Sequence, residues 1–200
     1  MGVQPRGVDV GDLDGDGDLD FAVSNLGNHT VTIAENIGGG IFVHATTFGV
    51  GEEPRYLGIG DLDEDGLNDI AVVHKRFNEL WILKNHGAMV FSNNGIYPTD
   101  INPHSVAVED INGDCKLDVI ASHVGGPWLY VFENDGIGQM VSTTLVQSFN
   151  GPAHVIASDV SGDGVPDLIT ANTNNGSTNV FISQVDQVGC SNCFGDLNQN

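Results

Sequence analysis

The sequence predicts an all-β fold: a β-propeller built of four-stranded antiparallel blades, in four repeats of 49 residues. Three observations carry that expectation. An Asp-rich segment recurs without a gap as GDLDGDGDLDFAV, GDLDEDGLNDIAV, EDINGDCKLDVIA and SDVSGDGVPDLIT, its first loop aspartates (Asp12, Asp61, Asp110, Asp159) spaced 49 residues apart. A proline stands seven residues before each of them: Pro5, Pro54, Pro103 and Pro152. Between these marks, short apolar runs alternate with Gly/Asn turns, and a four-stranded meander repeated every ~40–50 residues is the signature of a propeller blade.

In the first unit, Val8 to Val10 precedes the Asp-rich loop and Phe21 to Ser24 follows it; Val31 to Ala34 alternates next, and Ile41 to His44 closes the unit. Sixteen residues after the ninth loop position (Asp20, Asp69, Asp118) comes an asparagine: Asn36, Asn85, Asn134. Two residues on is a glycine (Gly38, Gly87, Gly136), and four further a large apolar residue (Phe42, Phe91, Met140). A β-solenoid is the competing architecture, but its repeats are much shorter. The fourth unit keeps Pro152 and its loop, then loses the Asn-x-Gly and the later aromatic, as terminal repeats often do. The units lie near 5–53, 54–102, 103–151 and 152–186, followed by a Cys-containing linker over 187–195. Trp81 and Trp128 fall in third strands and are expected in the blade-to-blade core.

With 40% hydrophobic residues the chain can bury a core. Its 27 acidic residues against 6 basic ones give a formal charge of −21, which argues against a nucleic-acid partner, because phosphates demand a basic surface. No stretch reaches the ~18 apolar residues of a membrane helix. The chain opens inside the repeat at MGVQPRGVDV, without a signal peptide, which reads as a fragment boundary. Three cysteines are too few for a disulfide framework.

The carboxylates sit where a calcium ion would need them. Calcium takes six to eight oxygens from carboxylates, backbone carbonyls and water. Side chains at loop positions 1, 3, 5 and 9, with the carbonyl of position 7, would close such a shell. Loop one offers Asp12, Asp14, Asp16, the carbonyl of Asp18, and Asp20; loop two offers Asp61, Asp63, Asp65, the carbonyl of Leu67, and Asp69. Loop three offers Asp110, Asn112, Asp114, the carbonyl of Lys116, and Asp118; loop four offers Asp159, Ser161, Asp163, the carbonyl of Val165, and Asp167. About four Ca2+ sites are expected. Position 6 must turn sharply and suits glycine (Gly17, Gly66, Gly164), whereas Cys115 there is strained. Charge and strain together rank loops one and two above three and four. An EF-hand needs a Glu at position 12 and a following helix; here position 12 is Val23, Val72, Ala121 or Thr170, inside β-type runs. Magnesium is less suited, since it prefers octahedral geometry and retained water. A solvated Asx-turn would explain one such loop, but not four in identical register.

These residues resemble the FG-GAP/VCBS repeat family, best known from the propeller heads of integrin α subunits, over residues 5 to 186. The family's Phe-Gly…Gly-x-x-Pro cassette is matched by Phe48, Gly49, Gly51 and Pro54, and more weakly by Phe149, Gly151 and Pro152. The resemblance implies calcium loops between the first and second strands of each blade, a structural role for the metal, and a ring that is commonly seven-bladed. Beyond the repeats, Asp196, Asn198 and Asn200 resemble the start of a dockerin-type calcium loop, and Cys190 and Cys193 suit a short disulfide or inert linker thiols.

If the metal loops share one face, the other receives the opposite strand ends: Arg6, Arg55, His104 and His154 from first strands, and Asn25, His74, His123 and Asn172 from second strands, followed by Lys75 and Arg76. Arg6, Arg55, His74, His104, His123 and His154 are therefore the candidate ligand residues, suited to an acidic or polyhydroxylated partner such as a glycan; solvated loop ends are the bland alternative. No nucleophile elbow, phosphate loop or paired acid/base motif is visible, so no catalytic residue is assigned. The expectation is an extracellular calcium-binding module for adhesion or for recognition of a glycan or protein, not an enzyme. The alternatives are the propeller portion of a secreted polysaccharide lyase and a structural spacer. Open loops of this kind suit millimolar extracellular calcium.

Overall fold

The structure, a computed structural model, describes residues 2–148, 151–174 and 176–183, and its regular structure is strand throughout. Blade one comprises β1 (Pro5–Gly11), β2 (Asp20–Asn25), β3 (Thr30–Asn36) and β4 (Phe42–Gly49). Blade two comprises β5 (Pro54–Gly60), β6 (Asp69–His74), β7 (Glu79–Asn85) and β8 (Phe91–Pro98). Blade three comprises β9 (Pro103–Glu109), β10 (Asp118–His123), β11 (Trp128–Asn134) and β12 (Met140–Gln147). Blade four shows β13 (Pro152–Ser158), β14 (Asp167–Asn172) and β15 (Ser177–Phe181) among the described residues. Strands are ordered as they occur in the chain and all pair antiparallel, so each blade is a meander. The result is a four-blade β-propeller architecture whose first strands sit side by side, β1 against β5, β5 against β9, and β9 against β13. The expected strand positions all lie inside observed strands except Ile41, which falls one residue outside β4. The tail, with Cys190, Cys193, Asp196, Asn198 and Asn200, lies outside the described residues, as does Phe149.

Two local devices repeat with the unit. The residue before each proline adopts a left-handed backbone (Gln4 φ 54, Glu53 φ 54, Asn102 φ 58, Gly151 φ 68), which swings the chain from one blade into the next. Proline then opens the first strand, where its missing N–H costs least. At the other end of that strand, Gly11 pairs with Asp20, Gly60 with Asp69, Glu109 with Asp118, and Ser158 with Asp167. Every Asp-rich loop is thus closed by the last pair of the β1–β2 ladder or its equivalent, so all four loops project from the same face.

The core lies between blades. Leu13, Ala22, Val31 and Ile33 of blade one pack on Leu57, Ile70, Val72 and Leu83 of blade two. Leu62, Ala71, Val73, Leu80 and Ile82 of blade two meet Val106, Val119, Ala121 and Phe132 of blade three. Ile120, Leu129 and Val131 then meet Val155 and Leu168 of blade four. A blade covered on both faces has no solvated side, and β6 and β10 are buried along their whole length. Trp81 flanks the first of these cores, in contact with its apolar members.

Candidate metal loops and the opposite rim

Position 1 of each loop organises the turn. Asp12 accepts hydrogen bonds from the N–H groups of Gly15 (2.7 Å) and Gly17 (2.9 Å). Asp61 accepts from Asp65 and Gly66, Asp110 from Gly113, Asp114 and Cys115, and Asp159 from Gly162, Asp163 and Gly164. Position 5 then caps position 7. Asp16, Asp65, Asp114 and Asp163 accept from the N–H of Asp18, Leu67, Lys116 and Val165, at 2.8, 3.0, 3.0 and 2.9 Å. At position 3, Asp14 and Asn112 accept from Asp16 and Asp114, while the Ser161 hydroxyl donates to Asp159. These are Asx-type turns, and they wrap the side chains toward a common centre.

Position 9 does something the sequence reading missed. Asp20, Asp69, Asp118 and Asp167 are buried at the base of the loop. Asp20 accepts from Leu13 N–H (2.8 Å) and from Asn36 N–H (2.8 Å); Asp69 accepts from Leu62 (3.2 Å) and Asn85 (2.8 Å). Asp118 accepts from Asn134, and Asp167 from Val160, Ser161 and Ser183. Asp20, Asp69 and Asp118 thereby tie the loop to the third strand, and Asp167 ties it to Ser183 just beyond β15; Asp20 also lies among the grouped oxygens of loop one. Burial raises Asp69 to about 6 and Asp118 to about 7, against partial relief from the N–H groups.

The asparagine that follows at +16 is a clip between blades. Asn85 donates to the Leu13 carbonyl of blade one (2.9 Å) and to Asn68, while its own oxygen receives Gly87 N–H. Asn134 likewise donates to Leu62 of blade two (2.7 Å) and to Leu117. In blade four Ser183 holds this place and, among the described residues, bonds Pro166 and Asp167 within its own blade.

Metal fit is best in the first two loops. Oxygens of Asp12, Asp14 and Asp20 lie within 4.8 Å of one another, as do those of Asp61, Asp63 and Asp65. Loops three and four form no such group among the described residues, consistent with Asn112 and Ser161 replacing carboxylates there. Two features distinguish loop two from loop one. Position 4 is also left-handed, and is glycine in loops one, three and four (Gly15, Gly113, Gly162) but Glu64 in loop two, at φ 57. In addition, the Lys84 ammonium bridges Asp63 and Asp65, a cation already among the ligands. Cys115 has φ 71 at position 6, as its place in the register requires, and its sulfur is disulfide-bonded.

On the opposite rim, the structure separates the six candidate ligand residues into two groups. His74 and His123 do not belong to an accessible surface: both are 0% exposed. Their rings pack on Trp81 (4.8 Å) and Tyr130 (4.7 Å), filling a slot that Asn25 and Asn172 fill in blades one and four by bonding Thr32 and Asn179. Burial pulls His74 down to about 3 and lowers His123 as well, so both are neutral structural side chains. Gly51, the cassette glycine, leaves room for this pair; a Cβ there would meet His74 at 2.9 Å and Trp81 at 3.1 Å.

The other four do come together. Arg6, Arg55 and His154 all lie within electrostatic reach of His104, and Arg6 of Arg55. Tyr56, which the sequence reading passed over, centres the group, with ring distances of 5.5 Å to His104 and 5.3 Å, edge-on, to His154. His104 Nδ1 is 2.7 Å from the Ala153 carbonyl, which fixes the ring across the blade boundary. Register shifts follow Pro5, Pro54 and Pro152 on three of these strands.

The repeat model described as FG-GAP-like repeat matches residues 12–72, 61–121 and 110–170. The chain belongs to the FG-GAP-like repeat family. Its three overlapping matches each span one metal loop and the next, so the family register and the blade register coincide. Among curated proteins, none matches the chain in sequence. Two solved structures share the fold. One is an Agrocybe aegerita lectin that recognises non-reducing terminal N-acetylglucosamine, with 22% identity and a TM-score of 0.57 over 87% of this chain and 51% of the lectin. The other is BBS1N in complex with ARL6DN, with 13% identity and a TM-score of 0.58 over 93% of this chain and 59% of that one. The chain thus spans between half and three-fifths of the length of these neighbours.

Proposed function

We propose that this FG-GAP chain is an extracellular recognition module, not an enzyme, in which calcium is structural and a glycan or protein partner is met on the face opposite the metal loops. The observation that carries the calcium part is the convergence of three carboxylates within 4.8 Å in each of loops one and two. Unneutralised, such groups repel one another, and a bound divalent ion would supply the charge and the oxygen coordination that join the two ends of the loop. The chain's own residues do the rest. Asp12 and Asp61 shape the turn, Asp14, Asp16 and Asp65 wrap it, Asp63 adds a carboxylate to the loop-two group, and Asp20 and Asp69 couple the loop to the third strand. Recognition by the opposite rim is supported by its grouped Arg, His and Tyr side chains. That a lectin recognising N-acetylglucosamine shares the fold supports this reading.

Thermal melting with and without EDTA, followed by calcium titration, tests the calcium part. The expected outcome is a melting point that falls on chelation and returns with calcium. A melting curve indifferent to EDTA would remove the structural role for the metal.

A further inference from the structure

The centre of the blade arc is a cavity of about 260 Å³ between the four first strands, with Val8, Tyr56, Val106, His154 and Ile156 among its walls. Arg6, Arg55 and His104 lie beside Tyr56 and His154 at one end of it. Of the chain's 6 basic residues, Lys84 is paired with Asp63 and Asp65 and Arg76 with Glu52 at 3.7 Å. Arg6 and Arg55 form no ion pair among the described residues. They lie within electrostatic reach of each other, with Glu53 acting on Arg55 in the opposite sense, and the buried Nε of Arg55 has no hydrogen-bond partner. Asp9, the acidic residue on the cavity wall, has its oxygens engaged by the N–H groups of Ile59 and Val10.

Guanidinium groups within electrostatic reach of each other repel, and an orphaned buried N–H costs free energy unless something accepts it. A carboxylate answers both needs, because it matches the guanidinium fork with two oxygens and one negative charge. The surrounding Tyr56, His104 and His154 offer what a sugar ring requires: an aromatic face, a phenol and imidazole nitrogens at its edge. We infer that this rim binds the carboxylate of an acidic sugar, a uronate residue of a polysaccharide, with Arg6 and Arg55 on the carboxylate and Tyr56, His104 and His154 around the ring. This deepens the recognition reading above and rests on it. The acidic net charge does not oppose it at short range, since exposed charges beyond about 8 Å are largely screened at physiological ionic strength.

The test is calorimetric titration of the calcium-loaded chain with a uronic-acid trisaccharide, its methyl ester and an acidic tripeptide, in 0.15 M salt, an ionic strength at which the Debye length is about 8 Å. The acid trisaccharide is expected to bind, with the ester and the peptide each weaker by about tenfold or more, the scale of a lost charge-assisted hydrogen bond. Arg6→Ala and Arg55→Ala should each weaken it by about the same factor, and Arg55→Lys by less, because charge remains without the fork. Arg76→Ala, on an exposed side chain paired with Glu52, should leave binding unchanged. The melting point of each variant separates lost binding from lost folding, and Arg6 is exposed enough for its removal to leave the fold intact. The site is overturned if the ester binds as well as the acid, if neither arginine variant matters, if the peptide alone binds, or if no probe binds. A chain that melts in a calcium-dependent way yet ignores the uronate loses this site and keeps its calcium-dependent fold; indifference to chelation removes the calcium role whatever the sugar does.

Discussion

Blades one and two carry the same unit 49 residues apart, yet they are not energetically alike. Val8 on β1 is 62% exposed where its counterpart Leu57 on β5 is 3% exposed. Phe21 and Val23 on β2 are half-buried where Ile70 and Val72 on β6 are sealed. Asn36 bonds within its own blade, to Leu19, where Asn85 reaches across to Leu13. Loop one gathers three carboxylates with no ion-paired cation among the described residues, whereas loop two already holds Lys84. The unit sets the geometry; what it contributes depends on the neighbour it packs against.

The sharpest way to break the equivalence is in the core. Leu57→Ala removes a side chain enclosed between two blades and should cost about 2–5 kcal/mol, through lost burial and the cavity left behind. Val8→Ala, at the same register position, should change stability by about 0.5 kcal/mol or less, as surface substitutions do. Denaturant unfolding of both variants measures the contrast, and equal losses would show that blade one is covered after all.

The asparagine clip gives the next largest difference. Asn85→Ala leaves the Leu13 and Asn68 carbonyls without their donor in a buried setting, a loss of about 1–3 kcal/mol. Asn36→Ala breaks a longer, exposed bond to Leu19 (3.3 Å) and, as in Asn85, the one accepted from the glycine two residues on, but none to a neighbouring blade, and should cost less than half as much. Parity between them would mean that Asn85 works within its own blade only.

Much of this was legible in the sequence, and the part that was not has a physical cause. The fold, the strand positions and the loop register follow from local periodicity, because each blade closes its own hydrogen bonds. The asparagine was visible as a repeated residue, but its partner lies 72 residues away in the preceding blade, a distance no local pattern encodes. His74 and His123 were misplaced because a strand end marks the rim, not the direction of the side chain. Their co-variation with Trp81 and Tyr130, against Asn25 with Thr32, is the signal that would have shown them packed inside. Tyr56 was overlooked because it occupies a position that is glycine in blade one and serine in blade three. Lys84 likewise stands where blades one and three have Glu35 and Glu133, so only the three-dimensional neighbour reveals its role.

Acidity should distinguish the metal-free from the calcium-loaded state. Burial holds Asp69 at about 6 and Asp118 at about 7, above the ordinary 3.8, so each binds its proton more tightly when folded. The stability they add is complete below about pH 4 and is lost as pH rises through about 6 and about 7. Buried His74, lowered to about 3, has the opposite sense: its contribution is present above pH 6.5 and is lost as pH falls. Between pH 8 and 6.5 the carboxyls dominate, and the EDTA-treated chain should gain about 1 kcal/mol on acidification, or about 2–4 °C. With calcium bound, protons compete with the metal for the same oxygens and the slope should flatten or reverse. Parallel pH profiles in the two states would contradict the linkage.

Lys84 offers the smallest but most specific contrast between the loops. Its side chain is three-quarters buried, and the ammonium lies against Asp63, which is almost wholly covered, and against the more exposed Asp65. In the absence of metal that charge relieves the crowded carboxylates of loop two, a service loop one lacks. For calcium, the same charge is a competitor that must be displaced or tolerated. Lys84→Met keeps the apolar stem that runs along the sheet and removes only the charge. We expect the variant to melt lower in EDTA by an amount near the ~1 kcal/mol ceiling of partly exposed ion pairs, and to bind calcium at loop two about fivefold more tightly. Glu35→Gln, at the same register position beside loop one, should not reproduce this pairing of effects. A Lys84→Met chain with unchanged calcium affinity and unchanged metal-free stability would show that the lysine merely lies on the loop, and that loops one and two are equivalent cages after all.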